Sequence, residues 1–147
     1  MIAGDQILPR ITPNVSVFPT EPDGNPLEAW LASSIRLLGM LPDDLLVLPA
    51  HPSPFTGVRV RLNQIIDSHR LALANLYDLL MEPTLLPECF SCLLGREIGD
   101  NEIQMATGET VAHLNYLWHR GNIQRRINAD DRYEYQSDPE ARYVDAE

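Results

Sequence analysis

The first 57 residues supply only two strand-sized apolar segments, and this scarcity constrains the fold more than anything else in the chain. Met1-Ile2-Ala3 leads into Gly4-Asp5, and Leu45-Leu46-Val47-Leu48 leads into Pro49-Ala50-His51. Between them an extended, Pro-rich passage runs through Pro9, Pro13, Pro19 and Pro22 to Pro26. Pro is tolerated in the first turn of a helix. From Pro26 onward Leu27, Trp30, Leu31, Ile35 and Leu38 recur at helical spacing, with Gly39 as the expected stop. Strand, helix, strand reads as a βαβ unit, its second strand short and buried. Two strands cannot form a covered sheet, because an isolated pair is marginal in water and leaves an edge unpaired. Such a unit is part of a larger α/β layer, or it completes itself with a copy or a partner.

The longest helical pattern follows, from Arg59 to Glu82. Leu62, Ile65, Ile66, His69, Leu73, Leu76 and Leu80 make one stripe, and Arg61, Asn63, Gln64, Asp67 and Asp78 lie mostly off it. Pro83 ends the pattern. Thr84 is a fair N-cap for a short helix over 85–94, closed by Gly95. A further helix begins near Asn101-Glu102 or Thr107, carries Met105, Val111, Leu114, Leu117 and Trp118, and stops at Gly121. Residues 123–127 and 132–135, split by Asn128-Ala129-Asp130-Asp131, read as a hairpin. Helix, helix, hairpin is the order of a winged helix-turn-helix. The last ten residues are polar and acidic and are expected to be loose.

With 44% apolar residues, this 147-residue chain can bury the core of one ordinary domain or two small ones. No apolar run approaches the ~20 residues that span a bilayer. No basic segment precedes an apolar one as in an export signal. Two cysteines without such a signal point to a reducing cytoplasm rather than a disulfide framework. The formal charge is −10 and lysine is absent. That balance disfavours non-specific nucleic-acid binding, which depends on neutralising phosphates, and it disfavours an anionic membrane surface.

Two stretches carry more specific information. One is Gly4-Asp5-Gln6-Ile7-Leu8-Pro9-Arg10-Ile11-Thr12-Pro13-Asn14-Val15-Ser16-Val17; the other is Leu48-Pro49-Ala50-His51-Pro52-Ser53-Pro54-Phe55-Thr56-Gly57. Each places a metal-competent side chain, Asp5 or His51, just past a strand end, where α/β sheets build their sites. Both stretches resemble the metallo-β-lactamase-fold hydrolases, in the branch that ends in a winged-helix domain, and the likeness runs from Gly4 to about Tyr135. Gly108-Glu109-Thr110-Val111-Ala112-His113-Leu114 resembles the winged-helix part of that family. The first metal motif of the family, His-x-His-x-Asp-His, occurs nowhere among the four histidines His51, His69, His113 and His119.

The resemblance implies an α+β fold: a partial αββα layer, of which the βαβ unit is a remnant, then a long helix and a winged helix-turn-helix. Residues 1–57 would be the remnant, 58–82 a connecting helix, 83–136 the winged helix and 137–147 a flexible acidic tail. It also implies a two-metal, usually zinc, hydrolase of ester, thioester, amide or phosphoester bonds. Asp5 would bridge the ions and His51 would bind one of them. Pro52 stands where family loops usually carry Gly, which restricts the backbone after His51. A catalytic zinc takes about three protein ligands, so this chain by itself is expected to be inactive. The bland reading of the pair is a capping Asp and a loop His.

Other candidates fail on spacing. Cys89-Phe90-Ser91-Cys92 is a C-x-x-C, but twenty residues separate Cys92 from His113, longer than finger spacing. His113 and His119 point about 120° apart on one helix. The cysteines therefore read as buried helix residues, and His69 reads as a core or interface histidine. Glu109 and His113, four apart, share a helix face. As a DNA-reading helix the segment offers only Asn115, His119 and Arg120, with Arg125-Arg126 nearby. Ser53 lies near His51 between two prolines with no acid to orient a base. No catalytic residue and no cofactor-binding motif emerges beyond the metal pair. The leading expectation is the C-terminal part of a metal-dependent hydrolase, with a small-molecule substrate and a homo-oligomer or the missing N-terminal half as partner. The alternative is a non-catalytic interaction or regulatory module on a winged helix, and after it a DNA-binding regulator.

Overall fold

The computed structural model describes residues 1–141. Two compact units emerge. The first holds Met1–Asn14 and Ala29–His69; the second holds Val15–Glu28 and Arg70 onward. In the first unit β1 (Ile2–Gly4) lies parallel to β2 (Leu48–Pro49), pairing Ile2 with Leu48 and Gly4 with Pro49. Helix α1 (Pro26–Met40) connects them, so the expected βαβ order is present. Pro26 opens α1, and Asn25 Oδ1 accepts the Glu28 N–H at 3.3 Å.

Three local expectations need correction. The helix runs through Gly39 to Met40, because nothing at Gly39 breaks its ladder. Its buried stripe is Leu27, Leu31 and Ser34, while Ile35 is 41% exposed. Residues 45–48 do not form a buried strand: Leu46 and Leu48 are exposed, and only Val47 is fully buried. Val47 instead forms an antiparallel bridge with Phe55, which closes the loop between them.

The core of this unit is Ile7, Val47, Val58, Leu62 and Ile65, all fully buried, with Trp30, Leu37, Leu38 and Phe55 packed against them. Each such aliphatic side chain contributes roughly 1.5–3 kcal/mol by leaving water. Helix α2 (Val58–Leu79) supplies three of the five: Leu62 and Ile65 from the stripe read from its periodicity, and Val58 from one residue before the expected start. His69 closes the stripe of this unit at 3% exposure, its ring edge-on to Trp30 at 5.0 Å between centroids.

In the second unit Leu73, Leu76 and Leu80 continue the buried stripe. β3 (Thr84–Leu85) follows, so Thr84 is a strand residue rather than an N-cap, its hydroxyl donating to the Glu82 carbonyl. The next turn is capped by Glu88, which accepts the Leu85 N–H at 2.8 Å. The short helix α3 (Phe90–Leu94) is closed by Gly95. Helix α4 (Ile103–His119) leads to β4 (Ile123–Ile127) and β5 (Tyr133–Ser137). These strands make an antiparallel sheet in the order β3-β5-β4, which extends the expected hairpin by one short strand. Ser137 is buried in β5; the rest of the expected loose tail lies largely outside the described residues, at 142–147.

Helix α4 is not amphipathic in the ordinary sense. Residues 112–117 are all buried, so both faces are covered. One cover is the Pro-rich passage, which forms a strap along the helix. Val17 N–H donates to the Gly108 carbonyl at 3.0 Å. The Asn115 amide donates to the Pro22 and Gly24 carbonyls, each at 2.9 Å. His119 Nε2 donates to the Asp23 carbonyl, and Arg120 pairs with Glu28. At Gly108 the strap comes close to the helix: a Cβ there would stand 2.9 Å from Ser16 Cβ and 3.1 Å from the Val17 carbonyl oxygen.

Candidate functional site

Asp5 directly follows β1 and His51 follows β2 by one residue, so parallel pairing carries both to the same end of the two strands. Their side chains converge, with His51 Nε2 3.4 Å from Asp5 Oδ1. Each residue is moored from nearby. Gly4, at φ +55°, makes the bend that a side chain would strain, and its carbonyl accepts the Ala50 N–H at 2.9 Å. Just beyond Asp5, Gln6 donates to the Ser33 hydroxyl at 3.1 Å and to Ser34 at 3.3 Å, tying the turn to α1. Ile7 then enters the core. Arg61 holds the following stretch from α2, donating to the Leu8 carbonyl at 2.6 Å and the Ile11 carbonyl at 2.7 Å. On the other side the Val47–Phe55 bridge closes the loop that carries His51, and the His51–Pro52 peptide is cis.

The pair adds little stability. Its side chains are 57% and 71% exposed, and exposed ion pairs contribute ~0–1 kcal/mol. The separation is also compatible with shared coordination. Two donors on a tetrahedral ion with bonds of ~2.1 Å lie about 3.4 Å apart along an edge of the tetrahedron. Asp5 and His51 therefore fit two corners of a zinc-type shell. They do not complete one: among the described residues no group of three or more His, Cys, Asp or Glu side chains could hold a metal.

The remaining candidates are structural. Burial pushes the Cys89 thiol up to about 12, with Cys92 and Glu88 adding to the effect. The Cys92 thiol is also raised by burial. Neither is a poised nucleophile. His113 Nδ1 lies 2.9 Å from the Glu109 carbonyl oxygen, a donated bond that places the other nitrogen unprotonated in the neutral ring. Complete burial lowers its pKa to about 4. Asn115, His119 and Arg120, the donors a DNA-reading helix would use, all engage the strap. Sequence reasoning missed these contacts, although a Gly and an Asn inside one apolar helical pattern were signals of a closely approaching backbone.

Residues 73–138 match the family described as Metallo-beta-lactamase-like, C-terminal domain. A beta-lactamase domain protein from Burkholderia ambifaria shares the backbone at a TM-score of 0.89 and 37% identity, over 93% of this chain and 41% of that one. A metallo-beta-lactamase family protein from Thermus thermophilus does so at 0.77 and 29%, over the same shares. The chain thus spans 41% of the length of each of these two structures. No curated protein matches it. Among the described residues no helix is long and apolar enough to cross a membrane. The chain therefore carries a metallo-beta-lactamase-like C-terminal domain and shares its fold with structures of that family.

Proposed function

We propose that this chain acts as the C-terminal part of a metal-dependent hydrolase of the metallo-β-lactamase type, cleaving an ester, thioester, amide or phosphoester bond in a small molecule. The observation that carries this reading is the convergence of Asp5 and His51 at 3.4 Å on the ends of two parallel strands. Asp5 and His51 would hold a zinc-type ion, with the remaining donors supplied from another segment or chain. Such ions supply Lewis-acid polarisation of the scissile group and a nucleophile at neutral pH. Gln6 and Arg61 keep the Asp5 turn in place, and the Val47–Phe55 bridge sets the reach of His51. In this reading the second unit is a winged-helix module rather than a DNA reader, because α4 commits its donors to the strap. The protein is expected in the cytoplasm.

Zinc titration of the chain tests the ligand assignment. Weak, substoichiometric binding that weakens further in Asp5→Ala and His51→Ala is expected. A tightly held stoichiometric ion lost in either variant would show that the chain completes the shell itself. Hydrolysis should appear only when a polypeptide carrying His-x-His-x-Asp-His is added, and Asp5→Ala should abolish it.

A second reading is favoured by the exposed apolar groups of the first unit: Ile2 at 86%, Val60 at 61% and Leu46 at 53%. Around a two-stranded sheet with open edges they suit association. The chain would then be a non-catalytic module that pairs with a copy of itself. Light scattering at micromolar concentration separates the two: a dimer without zinc affinity favours the module.

A further inference from the structure

A cavity of about 480 Å³ opens in the second unit, and neither Asp5 nor His51 lines it. That volume is in the range that takes small molecules. Its apolar wall comes from Leu86 and Pro87 of the turn after β3, Val111 of α4, and Tyr133 and Tyr135 of β5. The polar groups in the wall are Asp23 of the strap and Arg125, Asp131 and Arg132 of the hairpin.

Most of this charge is already matched. Arg125 pairs with Asp23 at 2.8 Å and stacks over Trp118 at 4.0 Å and Tyr133 at 4.6 Å. Its side chain is only 13% exposed, so it is held rather than offered. Arg132 pairs with Asp130 at 3.1 Å. Asp131 is different: among the described residues no ion pair or side-chain hydrogen bond engages its carboxylate. Its position is nevertheless fixed. The Asn128 side chain accepts N–H groups from Asp130 and Arg132, and the Asn128 carbonyl accepts the Asp131 N–H at 3.1 Å. Asp131 sits at φ +60°, a conformation that Gly adopts at lower cost. A rigid turn thus presents one uncompensated carboxylate at the rim of an apolar cavity.

We propose that this cavity binds a small organic monocation with an apolar body, an arylalkyl- or alkylammonium compound. The apolar part would lie against Leu86, Val111 and the tyrosines, and the cation would meet Asp131 and the outer oxygen of Asp23. An anionic ligand would have to displace Asp23 from Arg125 and approach Asp131. The net charge of −10 adds a general attraction for cations.

The test is an NMR titration of the full chain with 3-phenylpropylamine, the isosteric alcohol 3-phenylpropanol and the acid 3-phenylpropionate. The amine should saturate shifts at Val111, Tyr133 and Tyr135 with a Kd on the order of 1 mM or tighter. The alcohol should bind at least about fivefold more weakly, and the acid not measurably, because the rim carboxylate of Asp131 repels it. Asp131→Asn keeps a residue that tolerates the left-handed turn and should reduce the amine to the level of the alcohol. Glu97→Gln, which removes the same charge elsewhere on the surface, should leave the amine unchanged. Tighter binding of the acid, equal loss in both variants, or no saturable shift at these residues would overturn the proposal.

Discussion

Replacing Gly108 with Ala isolates the contact between the strap and α4. Two effects oppose each other. Ala in a helix interior is favoured over Gly by ~0.8–1 kcal/mol. Against this, the new Cβ would stand 2.9 Å from Ser16 Cβ, 3.0 Å from Ser16 Oγ and 3.1 Å from the Val17 carbonyl oxygen. Two of those atoms are fixed by backbone geometry, so the strap must move, and overpacking of this kind costs about 1–3 kcal/mol. Movement also weakens the Val17 N–H to Gly108 bond, a further ~0.5–1.5 kcal/mol. The steric side wins, by roughly 1–3 kcal/mol net. In a chain of this size that lowers the melting temperature by about 2–4 °C per kcal/mol. Gly39, also helical, has nothing within 4 Å of its missing Cβ. Gly39→Ala should therefore raise stability by up to ~1 kcal/mol, the propensity gain alone. Thermal and urea denaturation of both variants, with hydrogen exchange at the Val17 amide, makes the comparison. If Gly108→Ala is as stable as the parent and Val17 remains protected, the strap is not packed on α4 as argued.

Three other outcomes follow from the same structure. His113, with its folded-state pKa near 4, stays neutral while the unfolded chain takes up a proton below about 6.5. Stability from this group is complete above pH 6.5 and falls as the pH drops toward 4, by on the order of 3 kcal/mol. His113→Phe should flatten this part of a denaturation-versus-pH curve, and an unchanged curve would remove His113 as its source. Asn115→Leu, which strands the Pro22 and Gly24 carbonyls, should cost about 1–3 kcal/mol and speed proteolysis within residues 15–28; equal stability would mean the strap does not depend on Asn115. A thiol reagent at neutral pH should label Cys92 well before the fully buried Cys89, and labelling of Cys89 first would contradict its burial.

Much of the helical architecture is legible in the chain because periodicity is a direct imprint of burial. The stripe Leu62, Ile65, Ile66, His69, Leu73, Leu76 and Leu80 is buried at every position. The Asp5–His51 pair is legible for another reason: a metal-competent polar residue just past an apolar strand stub has few purposes, and parallel pairing brings two such residues together. What is not legible depends on distant backbone. Nothing local in Leu45-Leu46-Val47-Leu48 says that only Val47 will be buried, since that follows from its bridge to Phe55. The strap reads only as an extended, Pro-rich passage. Its partners lie more than ninety residues away in Asn115 and His119, beyond any periodic pattern. Asp131 reads as part of a hairpin turn, and its placement at a cavity rim comes from the way β5 and the strap meet.

The strap also decides where this polypeptide can be divided. Residues 15–28 are covalently part of the N-terminal stretch, yet they close the face of a helix that begins at residue 103. The path enters the second unit, returns to the first, and re-enters the second along α2. No single cut yields both units intact. A fragment beginning at residue 70 or 83 would leave α4 with the Asn115 amide and neighbouring apolar side chains facing water. The C-terminal module is thus not an independent cassette appended to what precedes it. It is assembled from residues 15–28 together with those from residue 70 onward, and any exchange of this module between proteins would have to carry the strap with it.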